Sequence, residues 1–299
     1  MPSNVLIFGP TGNVGRAAAI EAHAKGAKVW LAMRDTSKSI EGLNEDSNYA
    51  RIQADLSKPS SLESAVKQSG AKSVFVYTIP DSGDSMKESF NALKSSGVTY
   101  IVLLSSFGVQ GEASDEANQE KMIPALHART EMALQETGIA YTAIRPAFYS
   151  TNILAEVADI KKGHVKVPAL DAVFDFISPQ DIGNVCGSLL VNQPTETPKI
   201  IPLCGPQIIT QRNAYGIISR VIGHSVEVSD MDDETFVKKG SWPEPIARAL
   251  LSVYASQMDQ QVAYPDHVYK DAVANIKRYS GKEPTTFEDW VRANRSAFD

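Results

Sequence analysis

Three glycines in this chain stand at a spacing that lets a backbone loop hold an anion. The run Gly9-Pro10-Thr11-Gly12-Asn13-Val14-Gly15 has the form G-x-x-G-x-x-G, follows an apolar stretch at 4–8 and opens a helical pattern at Asn13. In that setting Gly9 allows the tight turn, Gly12 lets the backbone approach a pyrophosphate, and Gly15 lets the helix pack close to the sheet. The first N–H groups of the helix and its positive dipole end then face the phosphates. With Thr11, Asn13 and Val14 completing the loop, the pattern predicts a dinucleotide site.

The second strand ends in Met33-Arg34-Asp35, with Lys38 close behind. A carboxylate at this place suits the hydroxyls of an NAD ribose, and a cation suits the 2′-phosphate of NADP. Arg34 can stack on adenine and grip that phosphate as a fork. The reading is therefore NADP(H), with Asp35 as the signal that pulls the other way. Asp55 and Leu56, after the third strand, are expected at the adenine. Tyr77-Thr78-Ile79-Pro80 ends the fourth strand and is expected beside the ribose and nicotinamide. Ser106 lies at the carboxyl end of the fifth, where ligands sit in such sheets.

The elements that must position these residues alternate. Apolar runs at 4–8, 29–33, 50–53, 74–77, 98–104 and 139–144 alternate with helical patterns at 13–25, 59–68, 84–95 and 121–137, the last closed by Gly138. Continuous apolar strands mean a parallel sheet covered on both faces. The fold class is α/β: a doubly wound parallel Rossmann sheet over 1–150, with a smaller, mainly helical α+β lobe over 151–299 that holds substrate and from which some segments are expected to return to the Rossmann sheet. That lobe reads as helix at 151–162, strands at 165–167 and 174–177, helix at 179–191, strand at 200–203 and helices from about 210. Thr285 and Glu288 have capping-box spacing for a last helix. Residues 108–121 are polar and read as a surface loop beside the site.

The chain has 299 residues, 43% hydrophobic and 21% charged, with a net charge of −6. These are the proportions of a soluble globular protein, and they argue against broad nucleic-acid or anionic-membrane binding. The two cysteines, Cys186 and Cys204, form no metal motif and read as buried thiols in a reducing compartment. The histidines are scattered and make no metal constellation. No signal peptide and no membrane span are recognised, so the expected location is the cytoplasm, as a monomer or homodimer acting on a small molecule.

Taken together, the glycine pattern, Arg34, Asp55, the strand Val102–Ser106, the stretch Gly138–Asn152, the segment Ile177–Gly183 and the terminal Pro284–Glu288 resemble the NmrA-like family of atypical short-chain dehydrogenases. That resemblance covers nearly the whole chain. It implies NADP(H)-dependent reduction of quinones, phenylpropanoids or imines, although the family also includes regulators that bind the dinucleotide and catalyse little. Typical short-chain dehydrogenases use a Tyr with a Lys four residues on, and none of the ten tyrosines here has one. In NmrA-like reductases a Lys following a His often contacts the nicotinamide side. Here the stretch is His127-Ala128-Arg129, which puts Arg129 in that place. Arg129 is expected to bind and stabilise charge, since a guanidinium does not give up its proton. Tyr149 and Ser106 become the candidate proton donors, with His127 third, and Asn152 is expected near the nicotinamide carboxamide.

These residues support an oxidoreductase passing hydride to an activated C=C, C=N or quinone, acceptors that need less from a Tyr–Lys dyad. The alternatives are an NADP-binding biosynthetic enzyme with a non-redox role, in cyclisation or isomerisation, and a regulator that senses the NADP/NADPH ratio.

Overall fold

The computed structural model describes residues 3–43, 49–239 and 242–299. The apolar runs become strands β1 (Asn4–Phe8), β2 (Lys28–Met33), β3 (Tyr49–Gln53), β4 (Ser73–Tyr77), β5 (Tyr100–Leu104) and β6 (Ala140–Pro146). Between them lie helices α1 (Asn13–Ala24), α2 (Pro59–Ser69), α3 (Lys87–Ser95) and α4 (Met122–Thr137). Gly138 closes α4 in the left-handed conformation at φ 74°, the C-terminal signal read from the sequence.

Further along stand α5 (Val157–Lys161), β7 (His164–Val167), β8 (Val173–Phe174), α6 (Pro179–Val191), β9 (Ile200–Leu203), β10 (Ile209–Thr210) and α7 (Gln211–Ile222). The chain ends with β11 (Glu227–Asp230), α8 (Asp233–Lys238), α9 (Glu244–Ser256), α10 (Gln260–Ala263), α11 (Asp266–Ser280) and α12 (Phe287–Ala293). Seven strands make one parallel sheet in the order β3-β2-β1-β4-β5-β6-β9. The order reverses between β1 and β4, the switch point at which open α/β sheets bind ligands.

The chain divides into two compact units. Unit 1 is 1–146, 179–203 and 275–283; unit 2 is 147–178, 204–274 and 284–299. In unit 1 the buried strands pack against α2, α3 and α4 through Leu62, Phe90, Leu93 and Leu134. The opposite pairing is α1 on α6. A Cβ on Gly183 would lie 2.3 Å from Ala17 Cβ, and one on Gly187 would lie 2.5 Å from the Ala18 carbonyl oxygen. These two glycines let the helices meet backbone to backbone. Unit 2 has its own core, in which Phe174, Phe176, Tyr215, Ile218, Phe287 and Trp290 are buried.

Several local expectations are corrected. The helix at 151–162 is a 3₁₀ segment, Ser150–Glu156, followed by α5. The strand at 174–177 shrinks to β8, with Ile177 pairing instead to Tyr149 through a single parallel bridge. The cap of α12 is Thr286, whose Oγ1 accepts from Asp289 N–H at 3.1 Å, so the Thr285/Glu288 box is one residue out of register. The segment 108–121, by contrast, is the surface loop expected, mostly exposed and anchored at three points. Val109, Ala113 and Asn118 are buried, and a 3₁₀ turn spans Glu116–Gln119.

Candidate functional site: a glycine cradle at the sheet switch point

Gly9 turns the chain at φ 66°, where a side chain would be strained, and the Tyr77 ring closes over it, 2.8 Å from where a Cβ would sit. Gly15 faces the same turn, and a Cβ there would lie 2.3 Å from the Gly9 carbonyl oxygen. Gly12 is different: a Cβ on it meets only that oxygen, at 3.4 Å, which leaves its outer side open. The first helical bond of α1 runs from Arg16 N–H to Gly12 C=O at 2.9 Å. The N–H groups of Asn13, Val14 and Gly15 precede it, and no side chain caps this helix start. The first turn carries no acidic residue, so nothing there opposes an anion. Thr11 and Asn13 are exposed, and Val14 is buried beneath them.

Beyond β2, Arg34 and Lys38 are exposed. The Asp35 carboxylate, which the sequence offered to a ribose, accepts from Ser37 N–H at 3.0 Å and Ser37 Oγ–H at 2.6 Å. Those bonds hold its pKa below the usual carboxylate range and commit the residue to an Asx turn. Arg51, on β3, donates to the carbonyls of Thr36 (2.8 Å) and Lys38 (2.9 Å). The 34–38 loop is thus held from inside and below, while the Arg34 guanidinium has no hydrogen-bond partner among the described residues. Asp55 is kept below its usual pKa. Burial works against this, but two bonds from Ser57 and the charges of Lys58 and Arg34 outweigh it. Leu56 is buried beside it.

Across the switch point, Thr78 is buried at the end of β4. Its hydroxyl donates to Leu104 C=O at 3.4 Å and stands 3.1 Å from His127 Nδ1 on α4. Either Thr78 Oγ1 or His127 Nδ1 can be the donor in that contact, according to the tautomer. Burial pushes this imidazole down to about 4, so it is neutral at ordinary pH. Arg129 follows two residues later, about 200° further round the helix. It is exposed, and its Nε donates to Gln119 at 2.9 Å. Ser106 is half-buried and its Oγ accepts from Gly108 N–H at 3.1 Å, a turn contact. Ile79 packs against the unit 1 core.

Beneath this end of the sheet lies a buried ion pair that sequence reasoning missed. Arg145 Nη2 meets Glu131 Oε2 at 2.6 Å, with both side chains under 5% exposed. Arg145 Nη1 donates to the carbonyls of Val109 (3.0 Å) and Gly111 (2.8 Å), and Ser105 Oγ donates to Glu131. This network fixes the segment after β5.

Tyr149 and Asn152 belong to unit 2. Tyr149 is half-buried, and its carbonyl accepts from Asn152 N–H at 3.0 Å. Asn152 lines a cavity of ≈ 90 Å³ together with Phe148, Phe176, Phe236 and Trp242. Among the described residues no His/Cys/Asp/Glu group can hold a metal, and no helix is long and apolar enough to cross a membrane. Both cysteines are buried and free.

The sheet order, with a glycine-bent turn entering an uncapped helix at the switch point, defines a doubly wound protein of the Rossmann class. The chain belongs to the NmrA-like family, whose profile matches residues 1–291. It is 31% identical to the Nitrogen metabolite regulation-like protein bik4 of Gibberella fujikuroi, over 97% of this chain and 96% of that protein. It is 26% identical to the NAD(P)H azoreductase of Xenophilus azovorans, over 98% and 99% of the two chains. Among solved structures, it resembles the NADPH-dependent quinone oxidoreductase of Escherichia coli complexed with NADPH. The TM-score is 0.76 at 20% identity, covering 97% of this chain and 99% of that one.

Proposed function

We propose that this chain is an NADP(H)-dependent oxidoreductase that passes a hydride to a small or medium apolar acceptor, an activated C=C, a C=N or a quinone. The observation that carries the reading is the open helix start behind Gly12 next to a cationic loop whose one carboxylate, Asp35, is committed to the loop itself. Relatives named as reductases support it. When bound, the reduced nicotinamide supplies the hydride.

The N–H groups of Asn13, Val14 and Gly15 bind the pyrophosphate, and Arg34 and Lys38 hold the 2′-phosphate. Asp55 and Leu56 border the adenine. Thr78 and Ile79 border the nicotinamide ribose, where His127 Nε2 accepts a hydrogen bond. Unit 2 holds the acceptor, with Asn152 in its cavity wall. Ser106 and Tyr149 are the hydroxyls assigned to proton delivery. Arg129, tied to Gln119, enters as a contact of the 3₁₀ turn rather than as a proton source.

The test is NADPH consumption against a panel of quinones, enones and cyclic imines. The expected result is one reduced acceptor per NADPH consumed. Tight NADPH binding with no consumption across the panel would favour a second reading, a dinucleotide-sensing regulator. The 31% relative named for nitrogen metabolite regulation supports that alternative. A regulator would change its affinity for a protein partner between NADP⁺ and NADPH.

A further inference from the structure

The first turn of α1 has no acid of its own, but an acid from beyond the 34–38 loop reaches the helix start. Arg16 stands one residue after Gly15, and its Nη1 meets Glu41 Oε2 at 2.8 Å. A guanidinium has five N–H donors, and among the described residues Glu41 is the one partner of this one. A defined turn presents Glu41. Ile40 before it is buried, Gly42 after it takes φ 75°, and Leu43 N–H donates to Ile40 C=O at 3.3 Å. The bonds from Arg51 to the Thr36 and Lys38 carbonyls fix the stretch ahead of this turn.

One ion pair thus joins the helix that opens the cradle to the segment after β2, and it turns the Arg16 guanidinium toward the segment that carries Arg34 and Lys38. The setting makes this pair weak. The Arg16 side chain is 30% exposed and that of Glu41 is 90% exposed, and exposed pairs add little to stability. A carboxylate also carries less charge than a phosphate monoester, which holds about −1.5 to −2 at neutral pH. A phosphate seated at Arg34 and Lys38 therefore outcompetes Glu41 for Arg16. An uncharged ribose hydroxyl does not.

We infer that Arg16 and Glu41 form an electrostatic latch on the nucleotide site: Glu41 holds Arg16 until the 2′-phosphate of NADP(H) takes it over as a third cation beside Arg34 and Lys38. Glu41 is then an internal competitor of that phosphate. It lowers the affinity for NADP(H) without touching the nucleotide, while NAD(H) leaves the pair closed. The inference deepens the reading of the nucleotide site and rests on the 2′-phosphate lying at Arg34 and Lys38; the hydride acceptor has no part in it.

The test is a double-mutant cycle read by equilibrium titration of NADPH and of NADH on the full chain. Glu41→Gln is expected to tighten NADPH about two- to fivefold, the worth of an exposed ion pair that no longer has to be broken. Arg16→Gln is expected to weaken NADPH about tenfold, the loss of a charged hydrogen bond. NADH affinity is expected to stay level in both. In the Arg16→Gln background, Glu41→Gln is expected to add nothing, because its effect passes through Arg16. An unchanged or weaker NADPH affinity in Glu41→Gln would overturn the latch. So would an equal gain with and without Arg16, the mark of a carboxylate acting through its field alone, or equal shifts for NADPH and NADH. Arg34→Ala separates this from the site reading. Equal losses of the two nucleotides there would take the 2′-phosphate away from this loop and overturn both. A loss confined to NADPH there, with no response at Arg16 and Glu41, would overturn the latch alone.

Discussion

At the scale of single residues, two side chains test the proposed nucleotide site. The Arg34 guanidinium has no hydrogen-bond partner among the described residues, since Asp35 and Arg51 hold the loop without it. A hydrogen bond to a charged group is worth about 1.5–3 kcal/mol, which is about tenfold or more in Kd. Arg34→Ala is therefore expected to weaken NADPH by at least that factor and to leave NADH nearly unchanged. Titrating both nucleotides checks it, and equal losses would remove Arg34 from the 2′-phosphate. His127 has the opposite character, a buried imidazole that is neutral at ordinary pH and stands 3.1 Å from the Thr78 hydroxyl. Its low pKa predicts NADPH affinity that is level above about pH 5. His127→Gln, which keeps an acceptor near the Nε2 position, is expected to retain affinity that His127→Leu loses. Matching losses in both variants would show that Nε2 bonds no ligand.

At the scale of elements, the ion pair between α4 and β6 carries the strongest stability prediction. Arg145→Met leaves Glu131 charged and buried, at a cost of about 3–5 kcal/mol, and releases the carbonyls of Val109 and Gly111. Urea unfolding should show the loss, and limited proteolysis should cut first after β5. Asp175 gives a pH signature in unit 2. It accepts from Phe148 N–H, Gly205 N–H and Tyr264 O–H, yet burial pushes its carboxyl up to about 6. Between its ordinary value of 3.8 and about 6, the folded protein holds a proton that the unfolded chain has released. Stability from this group is full below that window, falls as pH rises through it and is level above. Asp175→Asn should flatten that slope; an unchanged slope would place the titration elsewhere.

The same scale shows what the sequence made legible. β1, β2 and β5 are continuous apolar runs, and α1 begins at the residue after its glycine cap, so both sheet and cradle could be read. The α12 cap could not be placed. Thr285 and Thr286 both have an acid three residues on, and the register is set by burying Phe287, Trp290 and Val291. β11 was missed because Glu227-Val228-Ser229-Asp230 is polar and mostly exposed, taking its strand form from pairing with β7. Thr78 and His127 are 49 residues apart and meet only through the strand order. The cavity draws its walls from residues spread over 148–254, and no local pattern marks it.

At the scale of the whole molecule, ligand binding becomes stability. NADPH binds the folded state and should raise the thermal midpoint, with about 2.7 kcal/mol added at a hundredfold excess over Kd. NADH should raise it less, and a chain that binds neither would show no shift. The central claim concerns the fate of the hydride, which a regulator and a non-redox enzyme would leave on the cofactor. NADPH deuterated at nicotinamide C4 on both faces, incubated with a turned-over quinone, enone or imine and followed by mass spectrometry of both products, tests this most directly. The account predicts unlabelled acceptor converted to reduced product, with one deuteride leaving the nicotinamide for each molecule formed. Fully deuterated NADPH recovered intact from every incubation would contradict it.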